Sequence, residues 1–498
     1  MKKTYSIIIF VLCFATRLFA QTSLPSSICD YTLTLAGSPY VADSSITVAN
    51  GCTMTVDPGV EIRMANSSFM IIRGKVDFLG TASQPIRIHA ASMNWGIIYL
   101  DNTTEKSTFN YVTIEDATIG PHGNTHADSA FQVAAISGNN SLAEINHCVF
   151  KNNLLCLYFF NCKNTVIQNS RFDASNIGEK IHIEMSELVN IDNCTFYFTA
   201  GTGDVIDMDG TKTSTISNNH VFGGDSDGFD IGNSDSTGCD GIFIHGNFIY
   251  GMGDKGISPG ERCVNINADH NVIVGCDIGI SAKAGAQVVA DHNTFYGNRL
   301  GVRACDCLAG WGPGTLTVTN SIIAASIDST WVVDPASTLT ISYCLSDIDL
   351  IPGIGNIQGN PMFVFPAMDS TGNFHLKINS AAINEGDPAF AHDPDGTRSD
   401  IGAFYFDPSA GILPTDDSHF ISIFPNPAGN SISVSIETLT GTDNYSVSVC
   451  DILGREISRS ELTDKKSNFD ISSLSPGIYS VEILSGDKIK HTEKIVIK

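Results

Sequence analysis

Apolar residues in the middle of the chain come in short alternating runs separated by Asn, Gly and Asp, and the runs return. HCVF (147–150), NSRF (169–172), NCTF (193–196), NHVF (219–222), GNFI (246–249), HNVI (270–273), HNTF (292–295) and TNSI (319–322) align. Their second residues fall at 148, 170, 194, 220, 247, 271, 293 and 320, in steps of 22, 24, 26, 27, 24, 22 and 27. A β-rich repeat of this length without helix caps predicts a β-solenoid, whose stacked coils bury the face that no single coil could bury. The aligned column, with Cys148, Cys194, His220, Asn247, Asn271 and Asn293, is expected to point inward and to hydrogen-bond from coil to coil.

About ten residues further on lies a second column: CLYFF (156–160), KIHIE (180–184), VIDMD (205–209), GFDIG (228–232), GISPG (256–260), GISAK (279–283) and GVRAC (301–305). Period-two alternation places Leu157, Ile181, Ile206, Phe229, Ile257, Ile280 and Val302 inward. One outward column then reads Tyr158, His182, Asp207, Asp230, Ser258, Ser281, Arg303, and the next Phe160, Glu184, Asp209, Gly232, Gly260, Lys283, Cys305. Neighbours in such a column lie ~4.8 Å apart. Aromatics therefore stand at one end, carboxylates in the centre and cations at the other.

Carboxylates stacked this closely disfavour joint ionisation. Asp207, Asp209, Asp230 and Glu184 could hold a hard cation such as Ca²⁺, which takes six to eight oxygens. A raised pKa on one member, serving a general acid, is a second reading. Salt bridging to Lys255, at the entrance of a strand two coils on, is a third, and plain solvation a fourth. Tyr158, Phe160, His182, Lys255 and Arg262 are candidate substrate-binding residues, with Tyr158, Phe160 and Tyr250 able to stack on sugar rings. The loop CDCLAGWGPG (305–314) is placed to bring Trp311 to the same groove.

Composition narrows the setting. The chain has 498 residues and a formal net charge of −25, with 28 Lys+Arg against 53 Asp+Glu. Residues 420–498 hold 8 of those cations and 10 of the acids, so the acidity sits in the long middle, where it repels nucleic acid. MKKTYSIIIFVLCFATRLFA (1–20) reads as a secretory signal peptide cut after Ala20, which removes one of 14 cysteines. The other cysteines lack zinc-site pairs and are expected mostly as small core residues, with Cys239 and Cys263 near enough in register to form a disulfide. SAGILPTDDS (409–418) reads as a linker, and the alternating strands after it as a small β-sandwich.

The repeat and its Asn-type ladder resemble the right-handed parallel β-helix of the pectate-lyase-like superfamily. GCTMTVDPGVEIRM (51–64) resembles its first coils, and the stretch from NPMFVF to DIGAF (360–404) its last ones. The expected architecture is thus all-β: a right-handed parallel β-helix over 21–408, a linker over 409–419 and an Ig-like β-sandwich over 420–498. The tail closely resembles the C-terminal sorting domain of the type IX secretion system of Bacteroidetes, carried by Pro425-Asn426-Pro427, Asp451 to Gly454, Leu474 to Tyr479 and the lysine-rich last strand. That resemblance implies export through the periplasm, the type IX machinery as partner, and an address rather than chemistry in the tail. ISAKAG followed by GVRAC resembles calcium-dependent β-helix polysaccharide lyases, in which a lysine abstracts the C5 proton of a uronate and an arginine helps to protonate the leaving oxygen. Carried over, Lys283 is the base and Arg303 the acid or charge stabiliser. Where those lyases place metal-binding acids before the lysine, this chain has Cys276 and Ile278. DGFDIG, GDKGISPGE and IGISAKAG also resemble β-helix modules of CotH-like proteins, for which no lyase chemistry is implied. The N-x-D, D-D, G-H-G and R-x-K series of the superfamily's hydrolases does not occur. The reading is therefore an exported monomer that acts on or binds an extracellular polysaccharide, with a metal-assisted lyase as the sharper form and a non-catalytic binding or surface module as its rival.

Overall fold

The computed structural model describes residues 21–118, 134–173, 179–197, 203–232, 238–369 and 371–407. In the tail it describes 421–424, 428, 431–436, 445–450, 456–462, 466–472, 474, 477–485 and 488–497. The signal peptide, the linker, Pro425-Asn426-Pro427 and Asp451 to Gly454 lie outside these residues. The chain separates into two compact units, 1–406 and 407–498.

The first unit is a right-handed parallel β-helix. Its strands stack into three parallel sheets of 13, 13 and 15 strands, here called front, side and back in the order each coil visits them. The front sheet runs through Leu155–Phe160, Ile181–Glu184, Ile206–Asp209, Phe229–Gly232, Lys255–Pro259, Ile278–Ala282 and Leu300–Ala304. Leu157, Ile181, Ile206, Phe229, Ile257, Ile280 and Val302 pair in register from coil to coil, as the alternation requires, and all are buried. On the back sheet Phe150, Phe172 and Phe196 stack at 4.9 and 4.7 Å between ring centres. Each such ring contributes roughly 1.5–3 kcal/mol by leaving water, so the stack offsets the ordering of short coils that could not fold singly.

At the side-to-back corner each coil turns through one residue of positive φ, followed by the ladder residue. That column is Cys148, Ser170, Cys194, Asn219, Asn247, Asn271, Asn293 and Ser321. Two members differ from the aligned motif: His220 is exposed on the following strand, and Asn320 is the positive-φ residue. Val221-Phe222 and Ile322-Ile323 set two apolar residues side by side, so alternation does not mark the inner one; Val221 and Ile323 face the core, and Asn219 and Ser321 take the inward ladder places. Asn271 shows how the ladder works. Its Oδ1 accepts from the Asn247 N–H at 3.0 Å and side chain at 2.9 Å, while its Nδ2 donates to the Ile244 carbonyl and to Asn293 Oδ1.

A second inward ladder, not foreseen, lines the front-to-side corner. There the Cys239 N–H donates to Cys263 Sγ at 3.0 Å, and the Cys263 thiol to the Ile231 carbonyl. The two thiols are therefore hydrogen-bonding members of the ladder, and the expected Cys239–Cys263 disulfide does not form. The disulfides are Cys29–Cys52 and Cys305–Cys307. The other described cysteines are free and buried, and burial pushes Cys148, Cys276 and Cys344 up to about 12, which leaves them inert at neutral pH.

Residues 359–406, expected as the last coils, instead leave the stack. An antiparallel pair, Phe363–Phe365 with Asn373–Leu376, and the chain after it form a strap on the outer side of the back sheet. Phe363, Phe374, Leu376 and Ile401 cover Val272, Val274, Ile322 and Ala324. The Ala403 N–H donates to Thr294 Oγ1 at 3.0 Å, and the Asp387 N–H to Asn320 Oδ1 at 2.7 Å. The outer back face of these last coils is too apolar to stand in water, so the chain returns over it. Tyr250 packs into this cluster and is not a free sugar platform.

The second unit holds two antiparallel sheets. One contains Ile421–Phe424, Ser431–Ile436 and Lys466–Asp470; the other contains Glu456–Leu462, Tyr445–Cys450, Gly477–Ser485 and Lys488–Ile497. Val434, Val447, Val481, Ile483 and Ile495 belong to its apolar core.

Candidate functional site on the front sheet

The two outward columns stand as the alternation places them: Tyr158, His182, Asp207 and Asp230 are neighbours across successive strands, as are Ser281 and Arg303, and beside them Phe160, Glu184 and Asp209. The strip they form is polar yet largely withdrawn from water. Ser258 and Ser281 are fully buried, and the side chains of His182, Asp207, Asp209 and Lys283 are 13–19% exposed.

At its lower end Tyr158 is buried against Ala134, Leu155 and Phe160, and its hydroxyl donates a short hydrogen bond to Glu184. Tyr158 is thus a partner for an acid rather than a sugar platform, because its ring is covered. Next comes His182. Its Nδ1 lies 3.1 Å from Glu179 and 3.7 Å from Asp207, and its Nε2 faces Asp209 at 3.6 Å, too long for a hydrogen bond. Burial disfavours the imidazolium, but Asp209, Glu179 and Asp207 outweigh it and hold His182 well above its usual range. Asp207 is also pushed well above the carboxylate range, first by burial and then by Asp209, Glu179 and Asp230, with His182 opposing.

Lys283 resolves differently from expectation. Asp230 lies two coils below it, yet Nζ reaches Asp230 Oδ1 at 3.3 Å. It does so by lying flat over Gly260, where a Cβ would stand 2.8 Å from Lys283 Cε. Glu261 leans back over Gly232 in the same way, with its Oε2 2.4 Å from where a Cβ would be. Burial lowers the Lys283 pKa, but Asp230, Glu261 and Asp227 reverse this and the net direction is up. The sequence reading needs an unpaired lysine of lowered pKa; in this arrangement Lys283 is a held ammonium. Asp230 is raised by burial, with Lys283 opposing and Asp227 adding to it.

Lys255 does not serve Asp207. Its Nζ binds Asp227 at 3.1 Å and Asp254 at 2.5 Å, and its backbone N–H also donates to Asp227. Arg262 is exposed at the front-to-side corner, its guanidinium 5.4 Å above the Trp311 ring, so the 305–314 loop stands beside the strip with Trp311 against Arg262. Arg303 Nε and Ser281 Oγ, on adjacent strands, are buried and have no hydrogen-bond partner among the described residues. Asp204, raised to about 6 by burial and by the charges of Asp230 and Asp227, accepts from the Asp227 N–H at 2.9 Å. Glu179 and Asp204 were missed because both sit just before a strand, where alternation assigns no direction.

The four acids expected to hold calcium do not converge. Glu184 takes Tyr158, Asp230 takes Lys283, and His182 stands among Asp207, Asp209 and Glu179. The group here whose ligand atoms lie together is Glu179, His182 and Asp207. It includes an imidazole nitrogen, whereas calcium takes oxygens, so the donors as arranged do not fit that ion.

The fold and the strip define a right-handed β-helix protein that carries a secretion tail. Residues 204–347 match the family described as right handed beta helix region, and residues 422–498 match the secretion system C-terminal sorting domain. The tail marks the chain for export by the type IX system to the cell surface or beyond. No described helix is long and apolar enough to cross a membrane. No curated protein sequence matches the chain. Among solved structures, the periplasmic alginate epimerase AlgG is similar at 13% identity and a TM-score of 0.43, over 63% of this chain and 84% of that one. Pectate lyase Pel9A is similar at 14% and 0.36, over 71% and 89%. PfbA, a surface adhesin of Streptococcus pneumoniae, is similar at 13% and 0.36, over 64% and 86%. At such identities nothing of those proteins' chemistry transfers.

Proposed function

We propose that the exported protein engages an acidic extracellular polysaccharide along the front strip and acts on it by β-elimination. The observation that carries this reading is the pair Arg303 Nε and Ser281 Oγ, buried, unpartnered and side by side near Lys283. A buried donor left without an acceptor costs about 1–3 kcal/mol, and a uronate carboxylate would satisfy both donors at once. Neutralising that carboxylate makes the adjacent C5 proton more acidic, which is what elimination requires. Two groups can take the proton. Lys283 does so once its own ammonium proton has passed to Asp230; otherwise Asp230, whose pKa is raised by burial, is the base and Lys283 the charge stabiliser. In either case the C4–C5 double bond forms as the C4–oxygen bond breaks, with water or the protonated base giving a proton to the leaving oxygen.

The test is absorbance of the unsaturated product from a panel of uronate polysaccharides, with calcium and with chelator. Lys283→Arg separates the two bases, because arginine keeps the charge but cannot give up its proton. Retained activity assigns the base to Asp230; lost activity with retained binding assigns it to Lys283. A second reading, a non-catalytic binding module, draws on the mutual satisfaction of Lys283 and Asp230. Binding without product across the panel would establish it and sink the lyase.

A further inference from the structure

A second constellation lies away from the front strip, at the side-to-back corner of three successive coils. His245, Asp269 and Asp291 occupy one column in register, and His270 and His292 follow the last two as the positive-φ corner residues. The rings of His245 and His270 stand 5.5 Å apart, and those of His270 and His292 are 5.0 Å apart and nearly parallel. Asp269 presents one oxygen to His245 Nδ1 at 3.2 Å and the other to His270 Nδ1, and Asp291 contacts His292 Nδ1 at 2.8 Å. One ligand atom each from His245, Asp269 and His270 lies within 4.8 Å of the others, and the same holds for Asp269, Asp291 and His292.

We infer that this corner binds a divalent transition-metal ion of the Zn²⁺ class, with His245, Asp269 and His270 as ligands and Asp291 and His292 extending the site along the stack. Each Nδ1 faces a carboxylate oxygen, and something positive must sit between two such lone pairs: a proton, or a metal in its place. When the metal takes that place, the imidazole proton moves to Nε2. The side chains of His245 and His270 are 39% and 41% exposed, which leaves water free to accept from it. Imidazole with carboxylate suits zinc, copper or nickel and not calcium. Tetrahedral bonds of ~2.0–2.2 Å put ligand atoms ~3.4 Å apart, so side-chain rotations that move them by about an ångström close the shell. The surrounding excess of acids concentrates cations at the surface.

Neighbouring coils supply conservative replacements. Ser217 stands where His245 does one coil on, and Asn218 and Asn320 adopt the positive φ of His270 and His292 in their own coils. His245→Ser and His270→Asn therefore insert residues this corner already accommodates, and circular dichroism checks that the coils persist. Calorimetric titration of the mature chain with Zn²⁺ after dialysis against chelator should show binding that excess Ca²⁺ does not displace. Each substitution should weaken it about tenfold or more, and His375→Asn in the strap should leave it unchanged. Absence of zinc binding, unchanged affinity in the double corner variant, or loss of binding in His375→Asn alone would each overturn the assignment.

Discussion

Replacing Lys283 with methionine tests the charge arrangement on which the front strip rests. Methionine keeps most of the stem that lies over Gly260 and removes only the ammonium. Asp230, with its side chain 26% exposed, would then face Asp207 and Asp227 without its cation. At 3.3 Å the pair interacts by about 5 kcal/mol at an effective dielectric of 20. Partial exposure and the rotamer freedom returned to a long side chain reduce this, so the expected loss of unfolding free energy at neutral pH is about 2–3 kcal/mol. The loss must depend on pH. The Asp230 pKa is already raised in the folded state, and removing Lys283 raises it further. The penalty is therefore full above the folded pKa and vanishes once Asp230 is protonated in both folded and unfolded chains, below about pH 4. Urea unfolding at pH 7.5 and pH 4 measures both limits, and Lys283→Met/Asp230→Asn should recover most of the neutral-pH loss. A single variant as stable as the parent at pH 7.5, or equally destabilised at both pH values, would refute the reasoning.

Asn271→Ala removes four ladder hydrogen bonds and takes the side-chain partners from the Asn247 N–H and the Ile244 carbonyl in the interior, while Asn293 Oδ1 keeps the N–H of residue 271; at about 1–3 kcal/mol for each of the two groups, an unfolding loss of ~2–5 kcal/mol is expected in chemical denaturation. Asp204 carries a folded pKa of about 6 against an ordinary value of 3.8, so its charge costs stability as pH rises through that window. Asp204→Asn should accordingly raise the melting temperature at pH 7.5 and leave it nearly unchanged at pH 4. Ending the chain after Phe406 should leave the β-helix unfolding transition in place while the protein accumulates in the periplasm instead of outside, as fractionation would report.

The parts of the fold legible in the sequence are those with a strict period. Alternation between Leu157 and Val302 set the front sheet's inward and outward faces without error, because a one-residue slip would turn apolar side chains into water. The corner ladder was legible where a single apolar residue marks the core side of the following strand and slipped at Asn219 and Ser321, where Val221-Phe222 and Ile322-Ile323 offer two. The segment 360–404 was read as last coils on its resemblance to the family's C-terminal stretch, which does not say whether a segment joins the stack or covers it. Reach was the other limit. Counting coils put Asp230 ~10 Å from Lys283, as backbone spacing does, but a lysine lying over Gly260 crosses that distance with its own side chain.

The three outer faces differ in what the sequence asks of them. The back face is charged and ion-paired in the first coils, at Glu61, Arg63, Arg87 and Glu115, and apolar in the last ones, where the chain covers it with its own strap. The side face turns out exposed residues such as Phe243 and Val289 between polar neighbours, as an ordinary solvated sheet does. The front face does neither: it withdraws Asp207, Asp230, His182, Lys283, Ser281 and Arg303 from water and leaves His182 Nε2, Ser281 Oγ and Arg303 Nε without a hydrogen-bond partner among the described residues. A sheet selected only for stability would replace Asp207 and Asp230 with threonine or asparagine, since burial first, and then the acids beside each, raise the pKa of both. A solenoid can carry that burden because each coil is stabilised by its inner stack and its nearest neighbours, so strain in five coils does not unravel the rest. The place where a local rule is broken while every neighbouring coil obeys it is where a requirement other than folding acts, and the function proposed above assigns that requirement to ligand binding along the front strip.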